Sequence, residues 1–160
     1  MKKLAAGLFA VTMLAGTVAF AVDSALVVSP SDLKWQPSRD IPGAQVALIS
    51  GDPSKQELFT ARIKLPANFK ILAHTHPTNE YDTIISGALF TGEGSQFSTN
   101  DLQKISAGSV VVFPAGVEHF SMTKQPTVVQ ITGVGPWGIN YLNSQNGQNS
   151  QDSQSTQNSQ

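Results

Sequence analysis

The chain has 160 residues, no cysteine, three histidines, and 10 basic against 11 acidic side chains, with only 13% of residues charged. That is one domain's worth of chain, and it excludes a disulfide framework, a thiol nucleophile and a cysteine-ligated zinc site. The near-neutral balance, without clustered Lys and Arg, also excludes an electrostatic nucleic-acid footprint.

Residues 1–21 open with Lys2 and Lys3, run apolar from Leu4 to Phe20 and close on Ala19-Phe20-Ala21. A charged start, an apolar stretch and small residues at a cleavage position predict a secretory signal peptide cut before Val22. The competing reading is an uncleaved membrane anchor, because the run is nearly long enough to span. Gly7, Thr12, Gly16 and Thr17 dilute its hydrophobicity, and no cysteine follows to accept a lipid. The expectation is export to the periplasm or the outside of a bacterium, with no stable membrane insertion after cleavage. Loss of Lys2 and Lys3 leaves 8 basic against 11 acidic residues. Residues 22–43, with Pro30, Pro37 and Pro42, are expected to wrap the outside of the domain, anchored by Lys34-Trp35.

From Ala44 to Leu142 no stretch sustains a helical apolar period. Short runs rich in Val, Ile, Phe and Thr instead predict strands at Val46–Ile49, Leu58–Leu65, Lys70–His74, Glu80–Phe90, Gln96–Thr99, Ser109–Phe113, His119–Met122, Val128–Thr132 and Ile139–Leu142. Turn clusters such as Gly51-Asp52-Pro53, Pro77-Thr78-Asn79 and Pro114-Ala115-Gly116 separate them. Many short strands at this spacing imply an all-β antiparallel sandwich or barrel. Phe69, Phe90, Phe97 and Phe113 fall at strand positions and are expected in the core. Residues 144–160 hold six Gln, five Ser and three Asn and no apolar side chain. Such a tract cannot offset its ordering entropy by burial, so a disordered tail is expected, with self-association as the functional alternative.

All three histidines fall in two short segments. His74 and His76 alternate on an extended chain and so share a face, and the Pro77-Thr78-Asn79 turn can bring Glu80 back beside them. The second segment runs Gly108, Pro114-Ala115-Gly116, Val117-Glu118-His119, a tight turn leading into a strand that starts with histidine. Three neutral imidazoles and a carboxylate suit a divalent first-row transition metal. Each piece alone has an ordinary explanation, a hydrogen-bonded strand histidine or a surface carboxylate; their conjunction is what points to a metal. Alternation turns Tyr81 and Glu118 away from their ligand neighbours. Trp137, after Gly135-Pro136, either caps a cavity mouth and stacks on a substrate or, as buried Trp more often does, serves core or dimer packing.

The spacing Gly-x5-His-x-His-x3-Glu-x6-Gly followed by Gly-x5-Pro-x-Gly-x2-His-x3-Asn resembles the motif pair of the cupin superfamily. The chain matches at His74, His76, Glu80, Gly87, Gly108, Pro114, Gly116 and His119. It departs at Asn68, where the family has a glycine and where Asn also tolerates positive φ, and at Thr123, where the family has Asn. The resemblance implies a single jelly-roll β-barrel over residues 44–143, with His74, His76, Glu80 and His119 holding one metal. Iron(II) or manganese(II) is the expected ion, with zinc, nickel or copper open. It further implies a small-molecule oxidoreductase of dioxygenase or oxidase type, with Glu80 a possible base, and a homodimer. The alternative is a non-catalytic module that binds or senses a small ligand or metal in the cell envelope.

Overall fold

The computed structural model describes residues 24–142; the expected signal peptide and Gln-rich tail lie outside the described residues. Apart from a single 3-10 turn at Pro30–Asp32, the regular structure is all β: β1 Gln36–Pro37, β2 Gln45–Ser50, β3 Leu58–Leu65, β4 Lys70–Thr75, β5 Glu80–Ser86, β6 Ala88–Glu93, β7 Gln103–Ser106, β8 Val110–Phe113, β9 His119–Thr123, β10 Thr127–Val134 and β11 Asn140–Tyr141. They form two sheets, β1-β2-β3-β10-β5-β8 and β11-β4-β9-β6-β7, with every pairing antiparallel. The sheets face each other as a jelly-roll sandwich, and the hydrogen-bond ladder does not run continuously round a closed barrel.

Period-two patterning decides which face is inside. On β3, Phe59, Ala61, Ile63 and Leu65 are buried in strict alternation, and Val129 and Ile131 on β10 answer them across the ladder. Ile71, Ile84, Leu89 and Phe69 complete one core cluster. A strand buried on one face only is pinned in register, since a one-residue slip would expose its whole apolar set.

The predicted single strand Glu80–Phe90 is two strands in different sheets. The corner is Gly87, with φ +79°, where a Cβ would lie 2.5 Å from Thr127 Oγ1 and 2.7 Å from the Pro126 carbonyl. Only glycine meets both demands, and the apolar residues on either side hide the break from a periodicity reading. Gln96–Thr99 is a bend, not a strand; Phe97 packs there against Phe120 at 5.3 Å. The strand in this region is instead β7, whose one apolar residue, Ile105, gives almost no periodic signal. Phe90 and Phe97, expected in the core, are half-exposed, with Lys124 and Lys70 ammonium groups 4.6 and 5.2 Å over their rings. Phe69 and Phe113 are buried.

The N-terminal segment runs along the edge of β2 through β1, and Trp35 lies under Lys64 Nζ at 4.3 Å. Asn68, at the departed glycine position, has φ +55°. Thr123, the other departure, fastens that turn: its fully buried hydroxyl donates to Pro66 O at 2.6 Å and accepts from Phe69 N at 3.1 Å.

Candidate metal centre

The first two histidines come from the end of β4. Its register against β9 slips between Ile71 and His74, so Ala73 and His74 are buried in succession. The irregularity turns His74 inward and sets it opposite His119, the first residue of β9. His76 follows two residues later on the same face, just beyond the strand. The turn carrying His119 is tied back to the first segment, with Gly116 N donating to His76 O at 2.9 Å and Ala115 N to Asn79 Oδ1 at 2.9 Å. Pro114-Ala115-Gly116 therefore holds the two motifs at a fixed separation.

The three rings are buried and meet in the cavity, with one ligand nitrogen from each lying within 4.8 Å of the others. Every Nδ1 is engaged with a main-chain carbonyl: His74 with Leu72 O at 2.6 Å, His76 with Gly138 O at 2.8 Å and His119 with Val117 O at 3.0 Å. A carbonyl only accepts, so each Nδ1 carries the proton, and each Nε2 is left with a free lone pair. This is how a second layer of hydrogen bonds orients imidazoles for a metal. Phe113 stacks on His119 at 3.8 Å and 9°, fixing the ring plane.

The electrostatics agree with neutral rings at two positions. Burial, reinforced by its neighbour His119, lowers the His74 pKa from 6.5 to about 3. Burial lowers His119 as well. His76 behaves differently: burial pulls it down, but the adjacent Glu80 carboxylate and the Gly138 carbonyl outweigh burial and raise it. His76 Nε2 lies 3.3 Å from Glu80 Oε1 and has no hydrogen-bond partner. An unpartnered basic nitrogen facing a carboxylate oxygen in a buried pocket is a place for a cation, so the donor set fits a metal.

Glu80 stands beside the triad, and its other oxygen, Oε2, accepts from Trp137 Nε1 at 2.6 Å. Trp137 packs against the core cluster as expected and also stacks on His76 at 5.3 Å and 19°, so its half-buried ring serves both the core and the site. Tyr81 and Glu118 are exposed, as alternation requires.

Asp82, which lies beside the motif residues in sequence, is a site residue to which the motif itself gives no role. It is 6% exposed and lines the cavity two residues beyond Glu80 on the inward face of β5, with Oδ1 unpartnered. Burial first, then the charge of neighbouring Glu80, pushes its carboxyl well above 3.8. Asp82 therefore favours its neutral form in this pocket. The same alternation that groups His74 with His76 groups Glu80 with Asp82.

The cavity itself is small, about 30 Å³, and walled by Ile63, Leu65, Ile71, Leu89, Val129 and Ile131 around the polar cluster. That is room for an ion and about one or two waters.

The sequence profile described as Cupin matches residues 53–151. No curated protein matches the chain. Among solved structures, the chain is similar to the polyketide cyclase RemF from Streptomyces resistomycificus, with a TM-score of 0.62 and 14% identity over 73% of this chain and 84% of that one. It is also similar to an RmlC-like cupin from Shewanella frigidimarina NCIMB 400, with a TM-score of 0.55 and 13% identity over 69% and 91%. A third similar structure is KdgF from Halomonas sp., with a TM-score of 0.53 and 17% identity over 66% and 91%. At these identities the likeness is one of fold.

Proposed function

The chain belongs to the cupin family, and on that premise we propose that it is a mononuclear metal protein acting on a small molecule by dioxygenase- or oxidase-type chemistry. His74, His76 and His119 would hold the ion through Nε2, with Glu80 as the oxygen ligand. The observation that carries this reading is the three Nδ1–carbonyl hydrogen bonds, which leave three convergent Nε2 lone pairs. A mixed nitrogen and oxygen set fits iron(II) or manganese(II), while zinc, nickel and copper bind such sets at least as tightly. A redox-active divalent ion bound there supplies Lewis acidity and electron transfer to an oxygen-bearing substrate. The chain's own residues do the rest. The apolar wall limits access of water, Trp137 holds Glu80 in place, and Glu80, as the base, shares the inward face of β5 with Asp82.

The protein is read as exported, on the apolar stretch and small residues of 1–21. It is also read as a homodimer. Tyr81, Val110 and Val112 are exposed together on the outer face of the paired strands β5 and β8, at the edge of the larger sheet. An apolar patch beside an open edge suits a second copy.

The test is metal stoichiometry with turnover. The purified chain takes up one divalent ion, and the iron(II) form consumes dioxygen with at least one member of a metabolite panel. Stoichiometric metal in a His74→Ala, His119→Ala double variant would sink the site assignment. A second reading, a non-catalytic binding or sensing module, is favoured by one observation: the cavity of about 30 Å³ is too small for an organic substrate beside an ion. A ligand-induced rise in melting temperature without turnover selects that reading.

A further inference from the structure

A second cavity adjoins the first. It encloses about 670 Å³ and shares Ile63, Ile131 and Trp137 with the histidine cavity. Its wall is the inner face of the larger sheet, with Val46, Leu48, Phe59 and Ala61 supplying an apolar lining. The N-terminal segment from Lys34 to Asp40 lines its margin. That segment is held in place by β1–β2 pairing, by Ser38 N donating to Ala44 O at 3.0 Å, and by Ile41 N donating to Ser38 Oγ at 3.0 Å. A preformed apolar cleft of this size accommodates an ordinary small-molecule ligand.

The polar groups are at the rim. Lys34, Arg39 and Asp40 line the opening and are exposed, and neither cation has an ion-pair partner among the described residues. The nearby Lys55 is already paired with Asp52 at 3.0 Å. The opening therefore carries two uncommitted cations against one carboxylate, above a lining that is apolar down to Trp137. Trp137 meets Phe59 at 6.0 Å on the cleft side and stacks on His76 on the other.

We propose that this cleft binds a small molecule with an apolar body and a single carboxylate, its carboxylate at Lys34 and Arg39 and its apolar end against Trp137. This names the substrate class of the metal centre proposed above and rests on that reading. Trp137 is the partition between the two cavities, and because its indole N–H holds Glu80, a ligand pressing on it acts on the metal side.

The experiment uses the full chain with Trp35→Phe, which leaves Trp137 as the one indole, stripped of metal with a chelator. Octanoate is the probe, and Trp137 emission is the readout. A saturable change with octanoate and none with octylammonium is expected. Arg39→Ala weakens octanoate binding by about fivefold. Leu48→Glu, at a wall position that is 52% exposed and so tolerant of charge, abolishes saturation, whereas Leu58→Glu, 66% exposed and outside the cleft, leaves it unchanged. Emission that ignores octanoate, or that answers octylammonium equally, overturns the proposal. Emission that follows protein concentration alone assigns the cleft to a second copy and overturns it too. Zinc uptake measured in parallel separates the two readings: uptake without octanoate binding sinks the cleft alone, and octanoate binding without uptake sinks the metal site alone.

Discussion

Lowering the pH of the metal-free protein from 7 to 5 asks buried imidazoles to take protons in a pocket with almost no water to solvate them. His74 has the clearest sign. Its pKa falls from 6.5 to about 3 on folding, chiefly through burial and secondarily through His119. Below 6.5 the unfolded chain binds a proton at this position that the folded chain does not, so the stability present above pH 6.5 is lost as pH falls toward 3. At about 1.4 kcal/mol per pH unit, the loss from this one group reaches about 2 kcal/mol by pH 5. His119 acts in the same direction. His76, raised on folding, contributes stability that is complete only below 6.5 and fades as pH rises through its folded value, so it opposes His74 in the upper part of this window and is silent in the lower part. Asp82, also raised, gives stability that is complete below 3.8 and declines as pH rises through its folded value, which opposes His74. The parent profile mixes these groups, so the measurement is a difference. Urea unfolding of the parent and of His74→Phe, both metal-free, is followed from pH 7 to pH 5. The parent loses about 2 kcal/mol more than the variant across that range. Parallel profiles would refute the neutral buried imidazole at His74. Saturating zinc, which binds the deprotonated ring, moves the parent's loss to lower pH.

Other consequences test the scaffold and the partition. Gly87→Ala forces φ +79° on a residue whose Cβ meets Thr127 and Pro126, and costs about 3 kcal/mol in urea unfolding. Gly108→Ala, at φ +85° with nothing within 4 Å, costs only about 1 kcal/mol. Thr123→Val keeps the shape but leaves Pro66 O and Phe69 N without their buried partner, lowering stability by about 2 kcal/mol in the same assay. Trp137→Phe leaves Glu80 Oε2 unpartnered and destabilises the metal-free chain by about 2 kcal/mol at pH 7; a loss below about 0.5 kcal/mol would refute the 2.6 Å hydrogen bond.

What the sequence revealed and what it concealed divide along a physical line. Local alternation is visible in one strand at a time, and Leu58–Leu65 reads directly because every second residue is apolar. Positive φ is visible through residue type, so Asn68, Gly87, Gly108 and Gly116 stand out before their angles are known. The change of sheet at Gly87 is not visible, because Ile84, Ile85, Ala88 and Leu89 keep the apolar signal going across the corner. Nor is the slip in β4, which inverts the inside and outside of the strand just before His74. Asp82 was accessible to the same period-two argument as Glu80, but it carried no assigned role because the motif stops at the glutamate. Trp137 was not accessible in this sense. Its partner Glu80 lies 57 residues away, and only the packing of the segment after β10 against the turn after β4 brings them together.

That long-range contact decides whether one cavity or two is the working unit. The histidine cavity alone admits an ion and little else, and the cleft alone touches no ligand nitrogen; they become one site only if Trp137 moves. Its restraint is a charge-assisted hydrogen bond, worth about 1.5–3 kcal/mol net, together with stacking on His76 and an edge contact with Phe59. Against this, only methylenes that gain burial when the indole swings aside count, each contributing about 0.8 kcal/mol. Four such methylenes match the upper end of the restraint, so the body must be long enough to fill the cleft and still reach past the indole. A short acid such as acetate can reach the rim cations but cannot displace the indole, whereas a longer one can. Chain length, rather than the carboxylate, is then what opens the way to Glu80, and the partition acts as a selector for the size of the apolar body.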